Sequence, residues 1–114
     1  MNDDLELQPG RTFADEIAAA RAAQTTGNIG RARTCARRAT GMLLREKIGL
    51  GPGPRHYAPT FILALRKLAT DSAFPAEVRA AAARLADRAK PNRTSASENP
   101  VHDAEIIFQY FGVE

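Results

Sequence analysis

The sequence predicts an all-α protein, a single-domain up-down bundle of four to five helices. A chain of 114 residues has room for one domain of ordinary size. Only 6% of its residues are aromatic and Ala is the commonest residue, a composition that disfavours a β-sandwich. Apolar residues recur at helical spacing in segments that Gly and Pro separate.

The composition also excludes several other classes of protein. With 44% hydrophobic and 25% charged residues, the chain has the balance of an ordinary globular domain. A single Cys excludes an intramolecular disulfide framework, and no apolar run approaches the roughly 20 residues of a membrane span. The N-terminal sequence MNDDLELQPG lacks the apolar stretch of a secretory signal. We therefore expect a soluble cytoplasmic protein.

The first two predicted helices form an antiparallel hairpin. The first helix spans about residues 12–25, where Thr12 and Asp15 make a capping box. Its predicted inward residues are Phe13, Ile17, Ala20 and Gln24. In the short break that follows, Gly27 suits the left-handed position that ends one helix, and Asn28 can cap the next. A connection this short makes two long helices antiparallel.

The second helix, at about residues 29–48, is the longest and carries a stripe of small residues. Its predicted inward residues are Ile29, Ala32, Ala36, Ala39 and Leu43, with Cys35 and Met42 beside them. Small side chains on this stripe permit the close approach of a neighbouring helix. Gly30 and Gly41 each cost about 1 kcal/mol relative to Ala inside a helix.

A loop at residues 49–59, with the sequence GLGPGPRHYAP, separates the second helix from the third. The third helix opens near Pro59, and its predicted inward residues are Phe61, Ile62, Leu65, Leu68 and Ala69. The fourth helix opens at Pro75 and runs to about Ala89. Its predicted inward residues are Val78, Ala82, Leu85 and Ala89.

The fifth helix follows a polar stretch bounded by prolines, residues 91–100, which is predicted to be mobile, as are residues 1–11. Asn99 is the predicted cap of this helix and Pro100 its first-turn residue. Its apolar face comprises Val101, Ala104, Phe108 and Phe111, with Ile106, Ile107 and Tyr110 adjoining. A face this wide either plugs the bundle or meets another subunit.

Charge is divided sharply along the chain. Residues 1–16 carry one base and five acids, residues 17–93 carry fifteen bases and four acids, and residues 94–114 carry four acids and no Lys or Arg. A basic middle of this kind can attract nucleic acid or an acidic partner. It can equally be neutralised within the molecule, if the acidic ends fold against it.

Cys35 is a candidate nucleophile. Arg31 and Arg38 lie about one helical turn to either side of it and would favour its thiolate form. A nucleophile also needs a positioned base, and neither His is near Cys35 in the sequence. Its place beside the apolar stripe favours a buried core residue.

His56 and His102 are the remaining candidates for chemistry. Together with Cys35 they show no paired metal-ligand spacing, so neither a metal site nor a cofactor is predicted. His56 stands between Arg55 and Tyr57, and this cluster could act on a phosphodiester. The alternative is a solvated loop His, or one that caps the third helix.

The second helix carries the main candidate binding site. It holds six bases against Glu46 alone: Arg31, Arg33, Arg37, Arg38, Arg45 and Lys47. Such a ridge could follow a phosphate backbone. Alternatively, the long Arg stems cover the bundle surface and pair with the acidic termini. Arg55 and His56, in the loop that follows, complete the set of candidate residues for binding nucleic acid or a partner.

Three segments of the chain are similar to a known family. They are GNIGRARTCARRATGMLLREKI, TFILALRKLA and PAEVRAAAARLADRA. In helix order and in these segments, residues 12–111 resemble the HEPN family of small helical bundles. The resemblance implies an up-down bundle of four or five helices that is often dimeric. Some members of that family are metal-independent ribonucleases, and some accompany a minimal nucleotidyltransferase in toxin–antitoxin pairs.

The ribonuclease motif of that family is not present in this chain. It consists of an Arg followed, after four to six residues, by a His. The required positions hold Gly49, Leu50 and Gly51 before His56, and Ser95, Ala96 and Ser97 before His102. The resemblance therefore implies the fold and the dimer without the catalysis.

Two hypotheses about function follow. The first is a non-catalytic interaction module of HEPN type, a homodimer that binds a partner protein, such as a nucleotidyltransferase, or a nucleotide. It predicts that the last helix or the Ala-rich second helix is buried between subunits. The second is an RNA- or DNA-binding protein that uses the Arg-rich second helix, with residual ribonuclease activity through Arg55 and His56 as its extreme form.

Overall fold

The structure is a computed structural model that describes residues 12–49, 61–87 and 97–113. These ranges contain five α-helices. They are α1 (Phe13–Thr25), α2 (Ile29–Ile48), α3 (Phe61–Thr70), α4 (Ala76–Ala86) and α5 (Pro100–Tyr110). These ranges contain no β-strand, which confirms the predicted all-α bundle. None of the described helices is long and apolar enough to cross a membrane.

The hairpin of α1 and α2 forms as its sequence predicts. The hydroxyl of Thr12 accepts a hydrogen bond from the Asp15 amide at 3.2 Å, and the Asp15 carboxylate accepts one from the Thr12 amide at 2.9 Å, which completes the capping box. Gly27 adopts a left-handed φ of 83°. The Asn28 amide reaches back to the Ala23 carbonyl at 2.8 Å, as in a Schellman motif. The Asn28 side chain then caps α2.

Helix α2 lies at the centre of the bundle and contacts each of the other four helices. The small residues of its stripe are fully buried, as predicted, and Cys35 is buried beside them. The larger side chains packed around the stripe include Leu65, Leu68, Leu85, Ile107 and Phe108. Because the stripe is covered by the other helices of the same chain, the Ala-rich face of α2 forms the core of the monomer.

Gly41 explains how closely α3 approaches α2. A Cβ atom at this position would overlap the ring and the Cβ of Phe61, the first residue of α3. A glycine inside the helix therefore permits a contact that any larger residue would obstruct. The cost of Gly41 to the helix is offset by packing.

The end of the fourth helix differs from the prediction. The fourth helix is shorter than predicted, since α4 ends at Ala86 rather than near Ala89 and Asp87 follows in an extended conformation. In the first turn of α1, Glu16 is buried. Pro59, Ala89 and residues 1–11 and 91–96, on which other predictions fall, lie outside the described residues.

Helix α5 closes the bundle against α1, α2 and α4. Asn99 and Pro100 start it as predicted, and the Asn99 side chain accepts a hydrogen bond from the His102 amide at 3.1 Å. The rings of Phe13 and Phe108 meet edge to face at 5.5 Å between centroids. Phe111, predicted as part of the apolar face, packs half-buried against the core and forms the C-cap of this helix.

Candidate functional site

The six cations predicted to form a ridge on α2 point in two different directions. Arg33 is only 9% exposed, and its Nε donates to the carbonyl oxygen of Ser97 at 2.7 Å. Arg37 donates from Nε to the Leu85 carbonyl at 2.6 Å and from Nη2 to the Asp87 carbonyl at 2.8 Å. These two side chains hold other parts of the same chain.

Arg37 also accounts for the early end of α4. The carbonyl groups in the last turn of a helix have no partner within the helix. The guanidinium group of Arg37 reaches the carbonyl of Leu85, in that last turn, and that of Asp87 just beyond it. It caps α4 from a neighbouring helix, at the point where the chain becomes extended.

Of the other four cations of α2, two are exposed. Arg31 and Lys47 are exposed, and Arg38 and Arg45 are half-buried. Arg31, Arg38 and Arg45 repeat every seven residues and so follow nearly one line on the helix. Within the described residues, two of the six predicted cations are therefore exposed, and the other four are buried or half-buried. Arg55 and His56 fall outside the described residues.

A polar junction joins α2, α4 and α5; we define it as Arg33, Arg37, Arg84, Ser97 and Asp103. Asp103 is 3% exposed and accepts hydrogen bonds from Arg84 Nε at 2.9 Å and from Ser97 Oγ at 2.8 Å. The Nη2 atom of Arg84 lies 2.8 Å from the same carboxylate. Hydrogen bonds of this kind hold the buried Asp103 and Ser97 and the partly exposed Arg84 in a single arrangement.

Sequence reasoning missed the polar junction. Asp103 directly precedes Ala104 on the inward side of α5, and an acid beside an apolar face was the available signal. Its partners Arg84 and Ser97 lie in other segments, so spacing along the chain could not identify them. Ser97 falls within a stretch predicted to be mobile, and in the structure it is fully buried.

Side chains also occupy the N-terminal end of α5. Gln24 of α1 donates from Nε2 to the Asn99 side chain at 3.0 Å, and its Oε1 accepts from the Val101 amide at 3.4 Å. The His102 amide donates to Asn99 as well. These partners satisfy amide groups that could otherwise bind an anion.

The outer face of α5, defined as Glu105, Ile106, Gln109 and Tyr110, lies between two surface grooves. The α1 groove has a volume of about 530 Å³ and is lined by Arg21, Glu105, Phe108, Gln109 and Val113. The α4 groove, of about 260 Å³, is lined by Glu77, Val78, Ile106, Gln109 and Tyr110. Gln109 lines both grooves and so marks the middle of the face.

An aromatic cluster stands at the C-terminal end of this face. Tyr110 is 45% exposed, and it is one of two large hydrophobic side chains in the described ranges that are so open, the other being Ile48. Its ring contacts those of Phe74 and Phe111 at centroid distances of 5.6 and 5.1 Å. The cluster holds the Tyr110 ring in place while leaving much of it open to solvent.

The described residues include no group of three or more His, Cys, Asp or Glu side chains placed to hold a metal ion. Cys35 is 1% exposed, within the core. His102 is exposed in the first turn of α5.

Comparisons with protein-family models, with curated proteins and with solved structures found no match to this chain. The case for a function therefore depends on the surfaces that the fold exposes and on the side chains that it has already engaged.

Proposed function

We propose that the chain is a non-catalytic helical interaction module that forms a homodimer through the outer face of α5. The observation that carries the proposal is the open ring of Tyr110, which Phe74 and Phe111 hold beside the α4 groove. Aromatic anchors beside pockets supply most of the binding energy of protein interfaces. The homodimer is also what the resemblance to the HEPN family implies.

The surroundings of α2 favour α5 as the interface. From the sequence, either α2 or α5 could form the interface with another subunit. The small-residue stripe of α2 is fully buried within one copy of the chain, so it has no surface left to offer. Helix α5 buries Val101, Ala104 and Phe108 inward, whereas Tyr110 is exposed and Ile106 is half-buried.

Light scattering of the full chain across a range of concentrations tests the proposal. We expect a dimer, and we expect Tyr110→Asp to raise its Kd at least about thirtyfold, because each interface loses this anchor twice. Arg66→Asp, which also places an acid on an exposed helical position but on α3, should leave the dimer intact. A wild-type chain that stays monomeric at about 1 mM would contradict the proposal, since a Kd of about 1 mM corresponds to a binding free energy of only about −4 kcal/mol.

A second candidate function, binding of RNA or DNA, is favoured by the outward cations of α2. Arg31 and Lys47 are exposed, and Arg45 is half-buried on the same helix. Exposed cations that follow a phosphate backbone give binding that weakens steeply with salt. Arg33 and Arg37, which hydrogen-bond to carbonyl groups of the same chain, are not part of this surface.

Fluorescence anisotropy of a labelled single-stranded RNA, at about 50 and 200 mM salt, tests this candidate. Arg31→Glu should weaken binding for all sequences and lower the salt dependence by about one phosphate contact. Glu46→Gln, an exposed change on the same helix that removes an acid, should not weaken binding. An absence of binding at the lower salt concentration would rule the candidate out.

A further inference from the structure

Arg33 is a buried cation whose charge is not balanced by any carboxylate of the described ranges. The residue is only 9% exposed, and a guanidinium group does not lose its proton in proteins. The hydrogen bond from its Nε atom goes to the Ser97 carbonyl oxygen, which is a neutral acceptor. Within residues 12–49, 61–87 and 97–113, no acid forms an ion pair with Arg33. Buried charges in proteins are paired, so this side chain calls for an anion from outside the described part of the chain.

Asp103, the buried acid of the polar junction, is engaged by other groups. Its carboxylate accepts hydrogen bonds from Arg84 Nε at 2.9 Å and from Ser97 Oγ at 2.8 Å, and Arg84 Nη2 lies 2.8 Å from it. Ser97 links the two arginines, because its carbonyl binds Arg33 and its hydroxyl binds the carboxylate that holds Arg84. The negative charge of Asp103 is therefore paired with Arg84, and Arg33 reaches only the neutral carbonyl.

Both arginines keep donors for a further ligand. A guanidinium group has five N–H donors in a planar fork. In the described structure, Arg33 uses its Nε group, which leaves both Nη groups, and Arg84 uses Nε and Nη2, which leaves Nη1. The side chain of Arg84 is 39% exposed, so the junction is open to solvent at that residue. Two guanidinium forks are the donor set that proteins use to hold the oxygens of a phosphoryl group.

We propose that the polar junction binds a phosphate-type oxyanion between Arg33 and Arg84. The anion accepts from Nη groups of both side chains and balances the buried charge of Arg33. Arg37, one helical turn beyond Arg33, adds a third cation to the local field while it holds the carbonyls of Leu85 and Asp87. A tetrahedral oxyanion fits because it presents several acceptor oxygens to two forks at once. The site does not depend on the outer face of α5, so it goes beyond the proposed function.

Thermal unfolding of the full chain, with sodium phosphate exchanged for sodium chloride at constant ionic strength, tests the site. Phosphate at ten times its Kd should multiply the folding equilibrium constant by about eleven and raise the Tm by about 5 °C or more. Isothermal titration calorimetry then gives the Kd of each variant. Arg33→Lys should raise the phosphate Kd at least about tenfold, because an ammonium group is a point charge without the planar fork. Arg84→Lys, which keeps a cation beside Asp103 at a partly exposed position, should do the same.

Arg31→Lys, the same change at an exposed position of α2, is the matched control and should leave the phosphate Kd unchanged. Saturable binding that both junction variants weaken and Arg31→Lys preserves supports the site. A Tm that does not respond to phosphate beyond the chloride reference overturns it. Binding that either junction variant leaves unchanged also overturns it, since the anion would then not lie between the two arginines.

The source of the phosphoryl group is distinguished by titration with AMP, with adenosine as the phosphate-free reference. Adenosine should not bind, because the junction recognises the anion. AMP that binds more tightly than inorganic phosphate, and loses affinity in Arg33→Lys, supports the site and identifies its ligand as a nucleotide phosphate. AMP that binds no more tightly than inorganic phosphate supports the site as one for the free ion. Equal binding of AMP and adenosine, with none of inorganic phosphate, overturns the proposal.

Discussion

Two ion pairs attach α5 to its neighbours, and they lie in opposite environments. Arg84 and Asp103 meet at 2.8 Å with the Asp103 side chain almost fully buried, whereas Arg21 and Glu105 meet at 3.2 Å with side chains 47% and 40% exposed. The two acids are only two residues apart, so they face nearly opposite sides of the helix. The inward pair belongs to the polar junction and fixes α5 in the bundle, while the outward pair lies on the surface offered to a partner.

This difference shows that the energetic effect of an ion pair depends on how deeply its two side chains are buried. A buried carboxylate that loses its partner, or a buried base that loses its carboxylate, is left without the water that would replace it. An exposed pair exchanges its partner for water at little cost. The same two residue types therefore stabilise the fold on one side of α5, and remain free to exchange partners on the other.

The largest effect is expected for Asp103→Ala. The change removes the acceptor shared by Arg84 and the Ser97 hydroxyl, and leaves both donors near the buried interior. We expect the free energy of unfolding to fall by about 3 kcal/mol, toward the low end for a broken buried pair because Arg84 keeps some access to water. Urea unfolding followed by circular dichroism measures it.

Glu105→Ala is the matched control on the same helix. The Arg21–Glu105 pair is exposed on both partners, so its loss should cost less than about 1 kcal/mol. Equal losses for the two variants would show that the inward pair has no special role in holding α5.

A smaller effect, with the same contrast, is expected for two arginines of α2. Arg33→Ala removes a buried charged donor to the Ser97 carbonyl and should cost about 2 kcal/mol. Arg31→Ala, two residues earlier and exposed, should change stability by less than about 0.5 kcal/mol. Thermal unfolding of both variants tests these two predictions. A large loss of stability for Arg31→Ala would mean that the outward cations also stabilise the fold.

These arginines show where sequence reasoning succeeds and where it stops. The helices were predictable because their signals are local: Thr12 and Asp15 lie three residues apart, and Gly27 and Asn28 are adjacent. The capping geometry needs nothing from elsewhere in the chain. The hairpin and the buried stripe of α2 follow from the same short-range information.

The direction of a long side chain depends instead on distant segments. Arg31 and Arg33 are both bases on one helix. Only Arg33 donates a hydrogen bond to the carbonyl of Ser97, which lies 64 residues further along the chain. The two grooves likewise depend on how α1 and α4 flank α5. The sequence therefore predicted that α5 has a wide apolar face, but it could not predict which side of the helix remains exposed to solvent.

The last comparison of an inward and an outward position concerns two glycines, and it has the smallest expected effect on the free energy of unfolding. Gly41 and Gly30 both lie in α2, where replacement by Ala is worth about 1 kcal/mol to a helix interior. At Gly41 the new methyl group meets the ring and Cβ of Phe61, near its backbone, so α3 must shift. Overpacking costs about 1–3 kcal/mol, and after the helical gain we expect Gly41→Ala to destabilise the protein by about 1 kcal/mol.

Gly30→Ala should have the opposite sign. No atom lies within 4 Å of the position a Cβ would take there, so the gain in helix propensity is not opposed by a clash. We expect about 0.5 kcal/mol of added stability, reduced from the full value because Gly30 lies in the first turn. Chemical denaturation of the two variants measures both signs. A stabilising Gly41→Ala would show that α3 can move away from α2 without cost. The close packing of these two helices would then not require a glycine at position 41.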